Sequence, residues 1–256
     1  MGAAAEITLV EAIPIVLPVR RQWRWRGLGD DLGRWVLVRV ESDGLVGWGE
    51  ATPLADWGGD HGRYYGETPA TVCQIVENRL GPAILGADAF NQGEMEQRLA
   101  TAIRGHPYAR AAVEIAVWDV RGKLTGQPIH RLLGGAVRSE IPIAHMLGLM
   151  TPGEAVDEVH TALADGIRAF QIKLTGGVTD DVRKVAAVRG AAGPDALLRG
   201  DVNQGYAGLP LKQAIAAVQA LDDAGLDLVE QPVEGMAAMA AVREAVEIEV
   251  MAVAPG

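Results

Sequence analysis

The chain has 256 residues, 49% hydrophobic and 22% charged, with 32 glycines, a composition that supports a buried core and excludes a disordered chain. Its formal net charge of -10 leaves no basic footprint for nucleic acid or for an anionic membrane surface. One cysteine, Cys73, excludes a disulfide framework or a CxxC metal site within a single chain, and it reads as a small packing residue on a helix. No apolar run reaches the roughly 18 residues of a membrane span. The opening "MGAAAEITLVEAI" carries Glu6 and Glu11 and no basic n-region, so a signal peptide is not expected and a cytoplasmic location is.

In chain order, residues 6–50 predict a three-strand meander. "ITLVEAIPIVLPV" is extended and punctuated by proline. "RWVLVRVESDGLVGWGEA" reads as a hairpin, Trp35 to Val40 and Leu45 to Glu50 about a Ser-Asp-Gly turn. Loops rich in Arg, Trp and Gly flank the hairpin. Three helical segments follow. The clearest is "ARAAVEIAVWDVRGKLTG", where Val113, Ala116, Val117, Val120 and Leu124 fall at helical spacing and Gly126 precedes Pro128 as a stop. Strands and then helices predict an α+β domain over residues 1–130.

From residue 131 strand and helix alternate. The strands are "IPIAHMLGL", "AFQIKL", "ALLRGDV", "LDLVEQP" and "IEVMAV", with Val250 to Ala254 read as buried. Repeated β/α units imply a parallel sheet with right-handed crossovers, either doubly wound or part of a (β/α) barrel. No GxGxxG follows any strand, so a dinucleotide fold has no positive support.

Lys173, Asp201 and Glu230 sit at the carboxyl ends of three successive strands, about one β/α unit of roughly 30 residues apart. Singly, each has a plain structural reading: a solvated lysine, a turn cap in "DVNQG", a hydrogen-bonding group before Gln-Pro. Together they place two carboxylates and an amine on one face. Two carboxylates with Asn203 beside them are hard oxygen donors that suit Mg²⁺. A lysine beside such a site is a candidate general base for a proton next to a carboxylate.

These residues resemble the enolase superfamily, in the branch of mandelate racemase and muconate-lactonising enzyme. The resemblance rests on the meander, the linker "AVWDVRGKLTGQPIHRLLGG", the strand "FQIK", and the segments "DVNQGY" and "VEQP", from about residue 6 to residue 252. It implies an α+β N-terminal capping domain (1–130) followed by a parallel TIM-type (β/α) barrel (131–256), incomplete at about five strands. It implies that Lys173 is the base on one face of the substrate, that Asp201 and Glu230 are Mg²⁺ ligands, and that Asn203 is a polar neighbour of the metal. The cap loops, around Trp23 to Gly29 and Ala51 to Gly66, then cover the substrate, with Trp25, His61 and Tyr64 as candidate contacts. The implied reaction is Mg²⁺-assisted removal of the α-proton of a small carboxylate through an enediolate, leading to racemisation, epimerisation, cycloisomerisation or dehydration. The implied assembly is a homo-oligomer without nucleic-acid or membrane partners.

Two departures stand out. The family commonly has Lys-x-Lys where this chain has Gln171-Ile172-Lys173, so Gln171 is a candidate catalytic residue that donates a hydrogen bond to a substrate carboxylate or an enediolate oxygen without bringing a charge. Val253 stands where the resemblance places a third acidic ligand. The leading expectation is a truncated or frameshifted product of a longer enzyme. The alternatives are a sheet completed by association with another chain, or a disordered or rearranged end. The competing function is a catalytically inactive fragment or pseudoenzyme acting only through association.

Overall fold

Alternating side chains build the first sheet. The structure, a computed structural model, describes residues 5–19, 24–25, 32–55 and 66–253. Strands β1 (Ile7–Val16), β2 (Arg34–Ser42) and β3 (Leu45–Ala51) pair antiparallel in that order. Val36, Val38 and Val40 of β2 enter the core, and the residues between them are partly exposed. Asp43 and Gly44, both at positive φ, make the two-residue turn between β2 and β3, the conformation such hairpins require.

Helix α1 (Pro69–Ile75) starts at Thr68, whose side chain caps Thr71. It runs through a π-helical turn, Val76–Leu80, into α2 (Gly81–Ile84). Helices α3 (Gln92–Ala102) and α4 (Pro107–Thr125) follow, then the single turn α5 (Ile129–Leu132). Cys73 lies on α1 and is half-buried against this core.

Helix α4 packs on β2 and β3 at very close range. A Cβ at Gly47 would lie 2.0 Å from the Ala116 carbonyl oxygen, and one at Gly49 would lie 1.9 Å from that of Ala112. Two glycines on the strand thus face two alanines one turn apart on the helix, and any larger side chain would force the layers apart.

The second sheet is parallel, in the order β4 (His145–Leu147), β5 (Ala169–Lys173), β6 (Leu197–Asp201), β7 (Leu228–Glu230) and β8 (Glu249–Met251). Its connections are α6 (Pro152–Ala164), α7 (Val178–Ala192), α8 (Leu211–Asp223) and α9 (Met236–Ala245). Phe170, Ile172, Leu198 and Val229 face the helices in one core with Val159, Val185, Val218 and Val242.

The described residues form two compact units, residues 5–19, 32–55 and 66–140 in one, and 24–25 and 141–253 in the other. Two strand readings need correction. The apolar run from Ile141 gives a strand only at His145–Leu147, and Ile141 and Ile143 are exposed outside it. At the far edge, β8 covers only Glu249–Met251, and Val253 is 51% exposed. Among the described residues β8 has a strand on one side only, and there its apolar residues are not enclosed. Ala254 lies outside the described residues.

Candidate active site

Strand register gathers the ionisable groups. In adjacent pairs, Lys173 lies beside Asp201, Asp201 beside Glu230, and Glu230 beside Met251. Side chains alternate along a strand, so Gln171 and Arg199, two residues earlier, share this face. The opposite face is filled: a Cβ at Gly200 would meet Leu226 Cδ2 at 2.8 Å and Leu174 Cδ1 at 3.0 Å.

The row is buried and tightly bonded. Lys173, Asp201 and Glu230 are 5%, 2% and 7% exposed. Lys173 Nζ forms a short ion pair with Asp201 Oδ2. Gln171 Nε2 donates to Asp201 Oδ2 at 3.3 Å and to Glu230 Oε2 at 3.4 Å, so one amide bridges both carboxylates. Arg199 Nε lies 3.1 Å from Glu230 Oε2. The backbone N–H of Asn203 donates to Asp201 Oδ1 at 2.9 Å, from a residue at φ 46°. Asn tolerates this left-handed conformation well, and here it curls the chain back onto the carboxylate. Loss of water and then the charge of Asp201 push the Glu230 carboxyl above the usual range, against the pull of Arg199 and Lys173.

Of the three candidate substrate contacts, Trp25 joins the row: Lys173 Nζ lies 5.8 Å from the centroid of its ring, within reach of a cation–π attraction. The adjacent Arg24 carbonyl accepts from Leu149 N at 2.7 Å, which anchors this segment near the end of β4. His61 and Tyr64 lie outside the described residues.

Among the described residues, no group of three or more His, Cys, Asp and Glu side chains gathers to hold a metal. Asp201 and Glu230 form a pair. Two adjacent buried carboxylates are a donor set suited to a hard divalent cation, and Mg²⁺ is often held by one or two carboxylates with waters completing its shell. The residues present therefore fit Mg²⁺. The position expected for a third carboxylate carries Val253, whose amide donates to Gln231 Oε1 at 2.9 Å.

The sequence reading missed Arg199, Gln231 and Asp181. Arg199 was within reach of it, since a residue two before Asp201 on a strand must share its face. Asp181, buried on α7, accepts from Thr175 N at 2.7 Å, Gly176 N at 3.0 Å and the Tyr206 hydroxyl at 3.0 Å, and so fixes the loop after Lys173. Burial and the Asp181 charge push the Tyr206 phenol far up. Nothing in the local sequence separates Asp181 from an exposed acid in a helix's first turn.

Fold and site together define a class: an antiparallel sheet-and-helix unit followed by a parallel β/α sheet whose carboxyl ends carry a buried lysine and two acids. Residues 30–134 match the family described as mandelate racemase / muconate lactonizing enzyme, N-terminal domain, and residues 154–253 match the enolase C-terminal domain-like family. The chain belongs to the mandelate racemase / muconate-lactonising branch of the enolase superfamily. It is 31% identical over 250 residues to an N-succinyl-L-Arg/Lys racemase of Bacillus cereus, covering 96% of this chain and 65% of that one. The structure of a muconate lactonizing enzyme from Pseudomonas fluorescens, complexed with muconolactone, aligns with a TM-score of 0.87 at 31% identity, covering 97% of this chain and 66% of that one. A dipeptide epimerase from Enterococcus faecalis, complexed with Mg and L-Leu-L-Tyr, aligns with a TM-score of 0.81 at 30% identity, covering 96% and 67%. The chain spans less than two thirds of the length of the racemase. These relatives are enzymes. Among the described residues, no helix is long and apolar enough to cross a membrane.

Proposed function

We propose that Lys173 removes the α-proton of a small carboxylate substrate, with Asp201 and Glu230 holding Mg²⁺ and Asn203 beside them. The outcome is racemisation, epimerisation, cycloisomerisation or dehydration, and the five parallel strands with the four helices between them are consecutive parts of a TIM-type barrel with its chemistry at the strands' carboxyl ends. The observation that carries this reading is the buried, in-register row of Lys173, Asp201 and Glu230. Support comes from the racemase and the Mg-bound epimerase among the relatives.

Each side chain has a distinct task. Asp201 serves as the counter-ion that stabilises Lys173 as an ammonium once it has taken a proton. Gln171 holds the two carboxylates side by side with its shared amide, without adding charge. Arg199 offsets the charge of Glu230. Trp25 covers the Lys173 ammonium and keeps water from that side. When bound, Mg²⁺ supplies positive charge to the substrate carboxylate as its α-proton leaves.

The test is deuterium uptake at the α-carbon, followed by proton NMR in D₂O with Mg²⁺, using N-succinyl amino acids, dipeptides and muconate. Wild type is expected to exchange at least one of these, and Lys173→Ala to lose about 100-fold or more. Calorimetric Mg²⁺ binding is expected to vanish in Asp201→Asn. No exchange across the set, with no Mg²⁺ binding by wild type, would overturn the reading.

A further inference from the structure

Behind the row sits a second buried lysine that the proposed chemistry does not use. Lys184 on α7 is 4% exposed. Its ammonium donates to the Gly148 carbonyl at 2.6 Å and to the Lys173 carbonyl at 3.1 Å. Burial pulls Lys184 down to about 8, against the favourable charges of Asp181 and Glu154. Desolvating an ammonium is expensive, and its neighbours on this helix face, Val185 and Val188, show that apolar side chains pack there.

The strand register explains what the ammonium does. Strands β4 and β5 pair through His145 with Phe170, Met146 with Gln171 and Leu147 with Ile172. The next pair in this register is Gly148 with Lys173, and there the ladder stops. Lys184 takes over at that step, since its Nζ holds both carbonyls of the unformed pair. On the other side, Leu174 N donates to the Asp201 carbonyl at 2.8 Å. Asp181, one helical turn before Lys184, grips Thr175 and Gly176. The backbone around Lys173 is thus fixed from β4, from β6 and from the following loop, and two of those three holds come from one face of α7.

We infer that Lys184 is a positioning residue for Lys173: it clamps the Lys173 carbonyl to the end of β4 and thereby aims the Lys173 amine at Asp201 and at the face of Trp25. Its role in catalysis rests on the reading of Lys173 as the base, while the clamp itself rests on geometry alone.

The full chain contains four lysines, Lys123, Lys173, Lys184 and Lys212, so lysine ε-CH₂ signals can be assigned individually by NMR on lysine-labelled protein. The Lys173 signal reports its place beside Asp201 and the Trp25 ring. In Lys184→Met it is expected to move toward its position in an unstructured peptide, while Lys123 and Lys212 stay where they are. A merely structural role would lower the melting temperature and leave the Lys173 signal unmoved, and that result overturns the inference. If the Met variant does not fold, Lys184→Leu, which also removes the donor, is read the same way. No substrate or metal enters the measurement. A wild type that exchanges no α-proton would sink the reading of Lys173 as base and leave the clamp to stand or fall on its own signal.

Discussion

Lys184 makes stability depend on pH in a window where few groups titrate. Its ordinary value is 10.5, and burial pulls it to about 8. Below pH 8 both folded and unfolded chains carry the charge, and the penalty for burying it is complete. Between pH 8 and 10.5 the folded chain gives up the proton while the unfolded chain keeps it, so stability rises with pH. Urea midpoints across this range should show wild type gaining on Lys184→Met by up to about 3 kcal/mol; a constant difference would contradict a buried ammonium. Tyr206 opposes this rise above its ordinary value, because only the unfolded chain then ionises, but it does so equally in both proteins. The ion pair yields a second comparison. Asp201→Asn strands the Lys173 ammonium and should cost about 3–5 kcal/mol in urea unfolding. Glu230→Gln should cost less, because it relieves the repulsion with Asp201 while surrendering Arg199. The row itself was legible in the sequence, since strand period and unit length bring Lys173, Asp201 and Glu230 to equivalent ends. Lys184 was not: a lone lysine on a helix looks solvated until the strand ends it reaches are known.

At the scale of elements, helix α4 and strand β3 depend on absent side chains. Gly47→Ala and Gly49→Ala each push a methyl into a helix carbonyl and should destabilise by about 1–3 kcal/mol or more in chemical denaturation. Gly190, inside α7, has open space where its Cβ would be, and Gly190→Ala should stabilise by about 0.5–1 kcal/mol. Equal effects at these positions would mean that sheet and helix are not in close approach. This difference is invisible in the sequence, because a glycine reads the same wherever it stands. The helix was legible there, from Val113, Ala116, Val117 and Val120, all of which are buried. The ends of β4 and β8 were overextended for a related reason: an apolar run says that a strand is favoured, while its length is set by how far the neighbouring ladder reaches.

For the whole molecule, charge sets behaviour in solution. With a net charge of -10 at pH 7 and an isoelectric point near 5.0, copies repel one another at neutral pH, and that repulsion fades on acidification. Light scattering should place the solubility minimum near pH 5, and a minimum well above that would mean charge does not govern self-association. The change from strands-then-helices to strand–helix alternation was plain in the sequence. The placement of Arg24 and Trp25 with the second unit was not, because proximity in the chain argued for the first. Neighbouring strands run about 4.8 Å apart, so the row from Lys173 to Glu230 spans about 10 Å. In the proposed function a substrate carboxylate is held at the Asp201–Glu230 pair through Mg²⁺, and its α-carbon is one bond away, well inside a single strand spacing. On the proposed function the sheet would act as a gauge with three marks, measuring the acid end of a ligand and leaving the length of the remainder uncounted.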